Sequence, residues 1–299
     1  TCLRELSRQA ENLDEIFYIY VVDDDNILKG RLSLKKMILS PTSTKIQSIY
    51  NPDVTYVTTD EPAESVGRIM QKYDLVAIPV VDSIGRLVGR ITIDDVVDVI
   101  REEAEKDYQM MSGISQDVES SDTIWDQTKA RLPWLIIGLF GGMLAAYMIS
   151  FYEADIALFP ATAMFIPVIT AMGGNVGIQS SAIVVKGLAS NTLTSKNILQ
   201  SISKEISCAV INACICSSII FILSLCFNLT SLAMPITVTI SLFIVIMFAS
   251  MFGTAFPLLL NKLKIDPALA TGPFITLTND IIGLNIYLFT GKAILGWLL

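Results

Sequence analysis

The chain has 299 residues, 52% of them hydrophobic, with a mean hydropathy of +0.57, a formal net charge of −8 and no histidine. The missing histidine excludes His-based zinc sites and His acid–base catalysis. Acids outnumber bases 24 to 14 over residues 1–130 and trail them 5 to 7 over 131–299, so an acidic half precedes an apolar one; that suits cations and argues against nucleic acid as a partner.

The chain opens without Met or a signal peptide, inside a helical pattern at Thr1, and reads as truncated there. Two segments then match at a spacing of 59: YIYVVDDDNILKGRLSLKKMI (18–38) and AIPVVDSIGRLVGRITIDDVV (77–97). Each copy predicts helix, buried strand, Asp/Gly turn, second strand and helix, and the second adds a strand at 54–58. A repeat this regular implies two α/β units about a pseudo-twofold axis. The residues hydrophobic-Pro-Val-Val-Asp (78–82) and Gly-x-x-Thr-x-x-Asp (89–95) resemble a tandem of cystathionine-β-synthase (CBS) modules. That resemblance implies a ribose contact for Asp95 beside Thr92, with ATP or another adenosine nucleotide as ligand. Lys36 stands at the matching position of the first copy, leaving at most one such pocket.

Residues 94–107 hold seven acids and two bases, and Asp95, Asp98, Glu102 and Glu105 share one helical stripe. Like charges four apart oppose each other by about 0.2–0.5 kcal/mol per pair. The run is either a solvated face or a bridge site for a hard divalent cation. A second amphipathic stretch, 123–135, then enters the bilayer with Lys129, Arg131 and Trp134 as interfacial anchors.

Apolar spans are predicted at 133–151, 156–185, 206–227, 235–260 and 273–298, five helices in all. The second is expected to break at Gly173, Gly174, Asn175 and Gly177, either freeing carbonyls to line a polar cavity near Gln179 or kinking against small residues. Cys208, Cys214, Cys216 and Cys226, all in the third span, read as small apolar filler, the alternative being a disulfide or metal role. Lys129 and Arg131, then Lys186, Lys196 and Lys204, then Lys262 and Lys264 mark one side, whereas the loops at Glu153/Asp155 and 228–234 carry no base. The positive-inside rule puts the acidic half in the cytoplasm and the C-terminus outside, with Lys292 out of place. Asp280 reads as the only carboxylate inside a span, with Thr276 on its face and Thr278, Asn279 and Asn285 nearby. An Asp at membrane depth costs ~2.5–3.5 kcal/mol and is functional by default, the alternative being a protonated or hydrogen-bonded structural Asp.

The order of CBS pair, acidic connector, Arg-Leu-Pro-Trp-Leu (131–135), Gly-Gly-Asn-x-Gly-x-Gln (173–179), Asp-Pro-Ala (266–268) and Gly-Pro-x-x-Thr…Asp (272–280) resembles the MgtE family of magnesium channels. The resemblance implies a homodimer of five-helix subunits with the pore on the twofold axis. Asp280 of each would hold hydrated Mg2+, and Gly173, Gly174, Asn175, Gln179, Thr276 and Asn279 would line the path. It also implies sensor carboxylates at Asp95, Asp98, Glu103, Asp107, Glu64, Asp74 and Asp266, with Pro62 and Lys106 departing from the acidic pattern. The family's separate N-terminal helical domain is absent from the sequence. The expected fold is therefore an α/β CBS-module pair followed by an α-helical bundle of five transmembrane helices. Its divisions are a truncated first module (1–50), a second (51–100), a connector and linker (101–130) and a pore domain (131–299). The expected function is a gradient-driven Mg2+ channel of the bacterial inner membrane, closed by cytosolic Mg2+. No P-loop or nucleophile–base pair suggests an enzyme. The alternatives are a nucleotide-responsive membrane sensor and a proton-coupled divalent-cation transporter.

Overall fold

The computed structural model describes residues 8, 18–41, 43–190, 192–193, 197–226, 232–270 and 272–298. The helical pattern at Thr1, Lys196 and most of the 228–234 loop lie outside them. The chain falls into two compact units, Thr1–Glu105 and Lys106–Leu299.

In the first unit, β1 (Ile19–Val22) and β2 (Leu28–Leu32) form an antiparallel hairpin followed by α1 (Leu34–Leu39). Beyond it, β3 (Val57–Thr58) pairs parallel with β4 (Ala77–Val81), and β4 pairs antiparallel with β5 (Leu87–Thr92). Helix α2 (Ala63–Lys72) links β3 to β4. The spacing of 59 reproduces the hairpins residue for residue: Ile19 faces Leu32 as Ile78 faces Ile91, and both hairpins bulge before their last pair. Asp23 Oδ1 accepts the N–H groups of Asp25 and Ile27, and Asp82 Oδ1 those of Ile84 and Arg86. Leu28 N donates to Gly85 O at 3.0 Å while Leu87 N donates to Asn26 O at 2.9 Å, so equivalent residues meet across the expected pseudo-twofold axis. Asn26 (φ 62°) and Gly85 (φ 87°) are left-handed at matching turn positions. The strand predicted at 54–58 pairs only over its last two residues. Val57, Val66, Met70, Leu75, Ile78 and Val96 form the core. Helix α3 (Ile93–Met111) begins in this unit and ends in the second.

Among the described residues, four helices of the second unit are long and apolar enough to cross a membrane: α4 (Ile124–Ser150), α6 (Ala161–Ala189), α7 (Ile198–Leu225) and α8 (Ala233–Lys262). A short α5 (Glu153–Leu158) precedes α6, and α9 (Pro273–Leu298) is a further helix of 26 residues. Helix α8 is the hub, packed against α6, α7 and α9, while α9 also touches α4 and α6. Phe165, Ile169, Val238, Leu242, Ile246, Leu284 and Tyr287 fill the centre.

Two sequence expectations change here. The amphipathic stretch at 123–135 and the first span form one helix through Pro133, capped where Thr123 Oγ1 accepts the Asp126 N–H. The break expected at Gly173–Gly177 is absent, since α6 is helical from Ala161 to Ala189. The interruption falls instead at Phe159–Pro160, because proline ends α5 and pushes the preceding residue out of the helical region. Glycine does not break α6, since no water competes for backbone hydrogen bonds at membrane depth.

Candidate functional site

The glycines of α6 exist for close approach. A Cβ at Gly253 of α8 would strike the Gly177 carbonyl oxygen and lie 3.1 Å from the Gly177 Cα. One at Gly177 would meet the Asn279 amide and, at 2.7 Å, Ile275 Cγ2. One at Gly173 would lie 3.2 Å from Val245. One at Gly174 would lie 3.2 Å from Thr276 Cγ2 and 3.5 Å from Asp280 Oδ1. The sequence thus places its GGN motif directly against the Asp280 carboxylate, by packing rather than by unwinding.

Around this contact the predicted residues divide. Asp280 and Thr276 are half-buried, and the Thr276 hydroxyl donates to Gly272 O at 3.0 Å. Asp280 makes no ion pair among the described residues. Asn175 and Gln179, four residues apart on α6, are both exposed. Amides open on one face of a membrane helix are expensive against lipid, so that face suits water or protein. Asn279 is 1% exposed, and neither Nδ2 nor Oδ1 has a hydrogen-bond partner among the described residues; it packs on Gly177 and Gly173. Asn285 Nδ2 donates to Ile281 O at 2.8 Å.

The base that fell outside the charge pattern is also placed: Lys292 pairs with Asp155 at 3.1 Å. At that end of the bundle the Tyr287 hydroxyl donates to Thr162 O at 2.9 Å.

One membrane carboxylate escaped the sequence reading. The predicted span 206–227 leaves Glu205 out, but α7 starts at Ile198 and carries it two turns in. Asp280 is therefore not the only acid within these helices. Glu205 Oε1 accepts the hydroxyls of Ser180 (2.6 Å) and Ser250 (2.8 Å). Its only sequence signal was small hydroxyl residues at the facing positions of α6 and α8.

The sensor residues are dispersed within one chain, and no group of three metal-ligating side chains converges among the described residues. Asp95 reaches back to the start of α3: its Oδ2 accepts both the hydroxyl (2.7 Å) and the N–H (3.1 Å) of Thr92. Those bonds, the hydroxyl's above all, hold its carboxyl below the ordinary 3.8. Glu105 pairs with Arg101 at 2.8 Å and Glu64 with Arg68 at 3.1 Å, while Asp98 and Glu103 are exposed along α3. Asp107 is part-exposed on the same helix. Asp74 occupies a left-handed turn (φ 49°) after α2, and Asp266 Oδ1 accepts the Ala268 N–H at 2.8 Å.

Within the second unit, the end of α3 is joined to α9. Met111 O touches the position a Cβ would take on Gly272, and Gly113 packs against Pro273, the first residue of α9. Both glycines are left-handed, at φ 64° and 77°. Gln109 bonds Asp117 and Val118, and Ser115 bonds Ala130 O, tying the same turn to α4.

Residues 166–290 match the MgtE divalent cation transporter family, and residues 46–102 match the CBS domain, which covers the second repeat. The chain is 36% identical over 283 residues to the magnesium transporter MgtE of Bacillus subtilis, covering 95% of this chain and 62% of that protein. Identity to the magnesium transporter MgtE of Thermus thermophilus is 34% over 299 residues, covering 98% and 65%. It therefore spans less than two thirds of the length of these relatives. Among solved structures, the cytosolic domain of the Mg2+ channel MgtE in complex with ATP shares 50% identity over 33% of this chain and 40% of that one, with a TM-score of 0.32.

Proposed function

The chain belongs to the MgtE family of divalent cation transporters, and from that premise we propose that it conducts Mg2+ down its electrochemical gradient as a homodimer whose pore runs between the two copies of α6 and α9. In this reading α9 is a fifth span, the first unit and α3 are cytoplasmic, and the C-terminus lies outside the bacterial inner membrane. One observation carries it. The Asp280 carboxylate, without an ion pair among the described residues, lies against Gly174, one residue from the exposed amide of Asn175. A single copy leaves this face open, and a second would enclose it.

Two Asp280 carboxylates across such an axis attract a dication. Mg2+ sheds its waters reluctantly, so carboxylates and amides that bind through the hydration shell suit it better than a dehydrating cage. Thr276 positions the carboxylate's neighbourhood while its own hydroxyl stays on the backbone. Inward flow of a doubly charged ion gains ~4.6 kcal/mol per 100 mV, so no motor is needed.

Gating follows from α3. Cytosolic Mg2+ bridges the exposed carboxylates of Asp98 and Glu103, together with Asp107, Asp95, Glu64, Asp74 and Asp266, between copies and so favours the closed arrangement; only such differential affinity can shift the equilibrium. The Met111–Gly272 and Gly113–Pro273 contacts offer a route from the end of α3 to α9, about two turns before Asp280. A further ligand is a nucleotide such as ATP. The first unit has a cavity of about 200 Å3 lined by Tyr18, Arg31, Ser33, Lys36, Ile49 and Asn51, whose ring and cations suit it better than Asp95, already bonded to Thr92.

The test is Mg2+ flux into proteoliposomes. Wild-type protein is expected to conduct and to close at millimolar internal Mg2+, and the triple variant Asp95→Ala/Asp98→Ala/Glu103→Ala to stay open. Absent flux sinks the channel reading in favour of a sensor. Inhibition unchanged in the triple variant ends the gating scheme, and flux that requires a pH gradient means a proton-coupled transporter.

A further inference from the structure

Glu205 is a carboxylate on α7, half-buried, with no ion pair among the described residues. Nothing in conduction through Asp280 explains it. Its Oε1 gathers hydroxyls from two other helices, Ser180 of α6 and Ser250 of α8, which are 4% and 2% exposed and stand 3.1 Å from each other. One oxygen that accepts a hydroxyl from each of two buried serines ties both of their helices to α7. Three helices are thereby fixed at one level.

That level stands in register with the candidate pore. Ser180, Gly177 and Gly174 follow at three-residue intervals along one stripe of α6. Ser180 meets Ser250, Gly177 meets Gly253 three residues on, and Gly174 meets Thr276 and Asp280. The glycine contacts are shape alone: they let backbones approach but do not stop one helix from sliding or turning on the other. The hydrogen-bonded bridge supplies that stop, one turn from the glycine contact and two from the Gly174–Asp280 contact. We propose that Glu205 is a positioning residue of the permeation site, which through Ser180 and Ser250 sets the rotation and height of α6 so that Gly174 and Asn175 face the Asp280 carboxylate. This rests on the Mg2+-channel reading, and it adds to that reading a group outside the pore-lining helices.

The experiment compares Glu205→Ala, Glu205→Gln and Ser180→Ala in the full chain by two readouts. One is Mg2+ flux in proteoliposomes as a function of Mg2+; the other is amide hydrogen exchange over residues 173–180, which needs no conduction. Glu205→Ala is expected to raise half-saturating Mg2+ about tenfold, the lower end for losing a group that orients a metal site. Maximal flux changes less, and exchange over 173–180 accelerates. Glu205→Gln, which keeps an acceptor oxygen, stays near wild type in both. Ser180→Ala leaves the Ser250 bond and frees α6 alone, so it serves if Glu205→Ala does not fold, and it is expected to show the same local acceleration. Wild-type exchange over 173–180 in the alanine variants overturns the proposal, as does Glu205→Gln behaving like Glu205→Ala. Should the wild type pass no Mg2+, the channel reading falls, while the exchange result still decides whether Glu205 holds α6.

Discussion

Replacing Gly253 by alanine tests the packing that brings α6 to Asp280. The new methyl would sit on the Gly177 carbonyl oxygen, with the Gly177 Cα at 3.1 Å and its carbonyl carbon at 3.2 Å. These are backbone atoms on both sides, so no side chain can swing away. The helices must part by roughly 1 Å, and overpacking of this kind costs about 1–3 kcal/mol. Alanine recovers up to about 1 kcal/mol over glycine within a helix, leaving a net loss of about 0–2 kcal/mol. Gly174→Ala differs in kind. Its methyl meets Thr276 Cγ2 at 3.2 Å and Asp280 Oδ1 at 3.5 Å, contacts relieved by shifts of a few tenths of an ångström. Stability should hardly change, yet one carboxylate oxygen gains a methyl neighbour where a hydrated ion would approach. The assay is thermal unfolding of the purified protein alongside Mg2+ flux. Gly253→Ala is expected to melt lower and conduct less, and Gly174→Ala to melt as wild type and conduct less. A Gly253→Ala protein with wild-type melting and flux would refute the close α6–α8 contact. Increased flux in Gly174→Ala would refute the apposition with Asp280.

Asp280→Asn keeps the shape and removes the charge; Mg2+ flux should be lost with melting unchanged, whereas wild-type currents would end the pore assignment. The folded pKa of Asp95 is depressed by Thr92, so its stabilisation of the start of α3 is complete above the ordinary carboxylate value and is lost as pH falls through the lower folded one. The protection of the Thr92 amide, measured as its exchange rate relative to that of an unprotected amide at the same pH, should therefore fall below about pH 4, and more in wild type than in Asp95→Asn. Tyr287→Phe removes the buried bond to Thr162 O and should lower stability by about 0.5–1.5 kcal/mol in unfolding measurements.

What the linear sequence determined was whatever repeats or accumulates locally. The 59-residue spacing fixed the two hairpins and their equivalent Asp23 and Asp82 turns, because strand and turn preferences act over a few residues. Long apolar runs marked the bundle's helices, and Asp280 stood out against the one it sits in. What the tertiary structure decided was what each small or polar group touches. Gly173, Gly174 and Gly177 look alike as helix breakers or as contact points until α8 and α9 are seen lying on them. Glu205 escapes a local reading because its partners, Ser180 and Ser250, lie 25 and 45 residues away. Asn175 and Asn279 are the same amide on neighbouring helices, one exposed and one 1% exposed, and only packing separates them. Local propensity is written in adjacent residues, whereas the meeting of helices depends on pairs far apart in the chain.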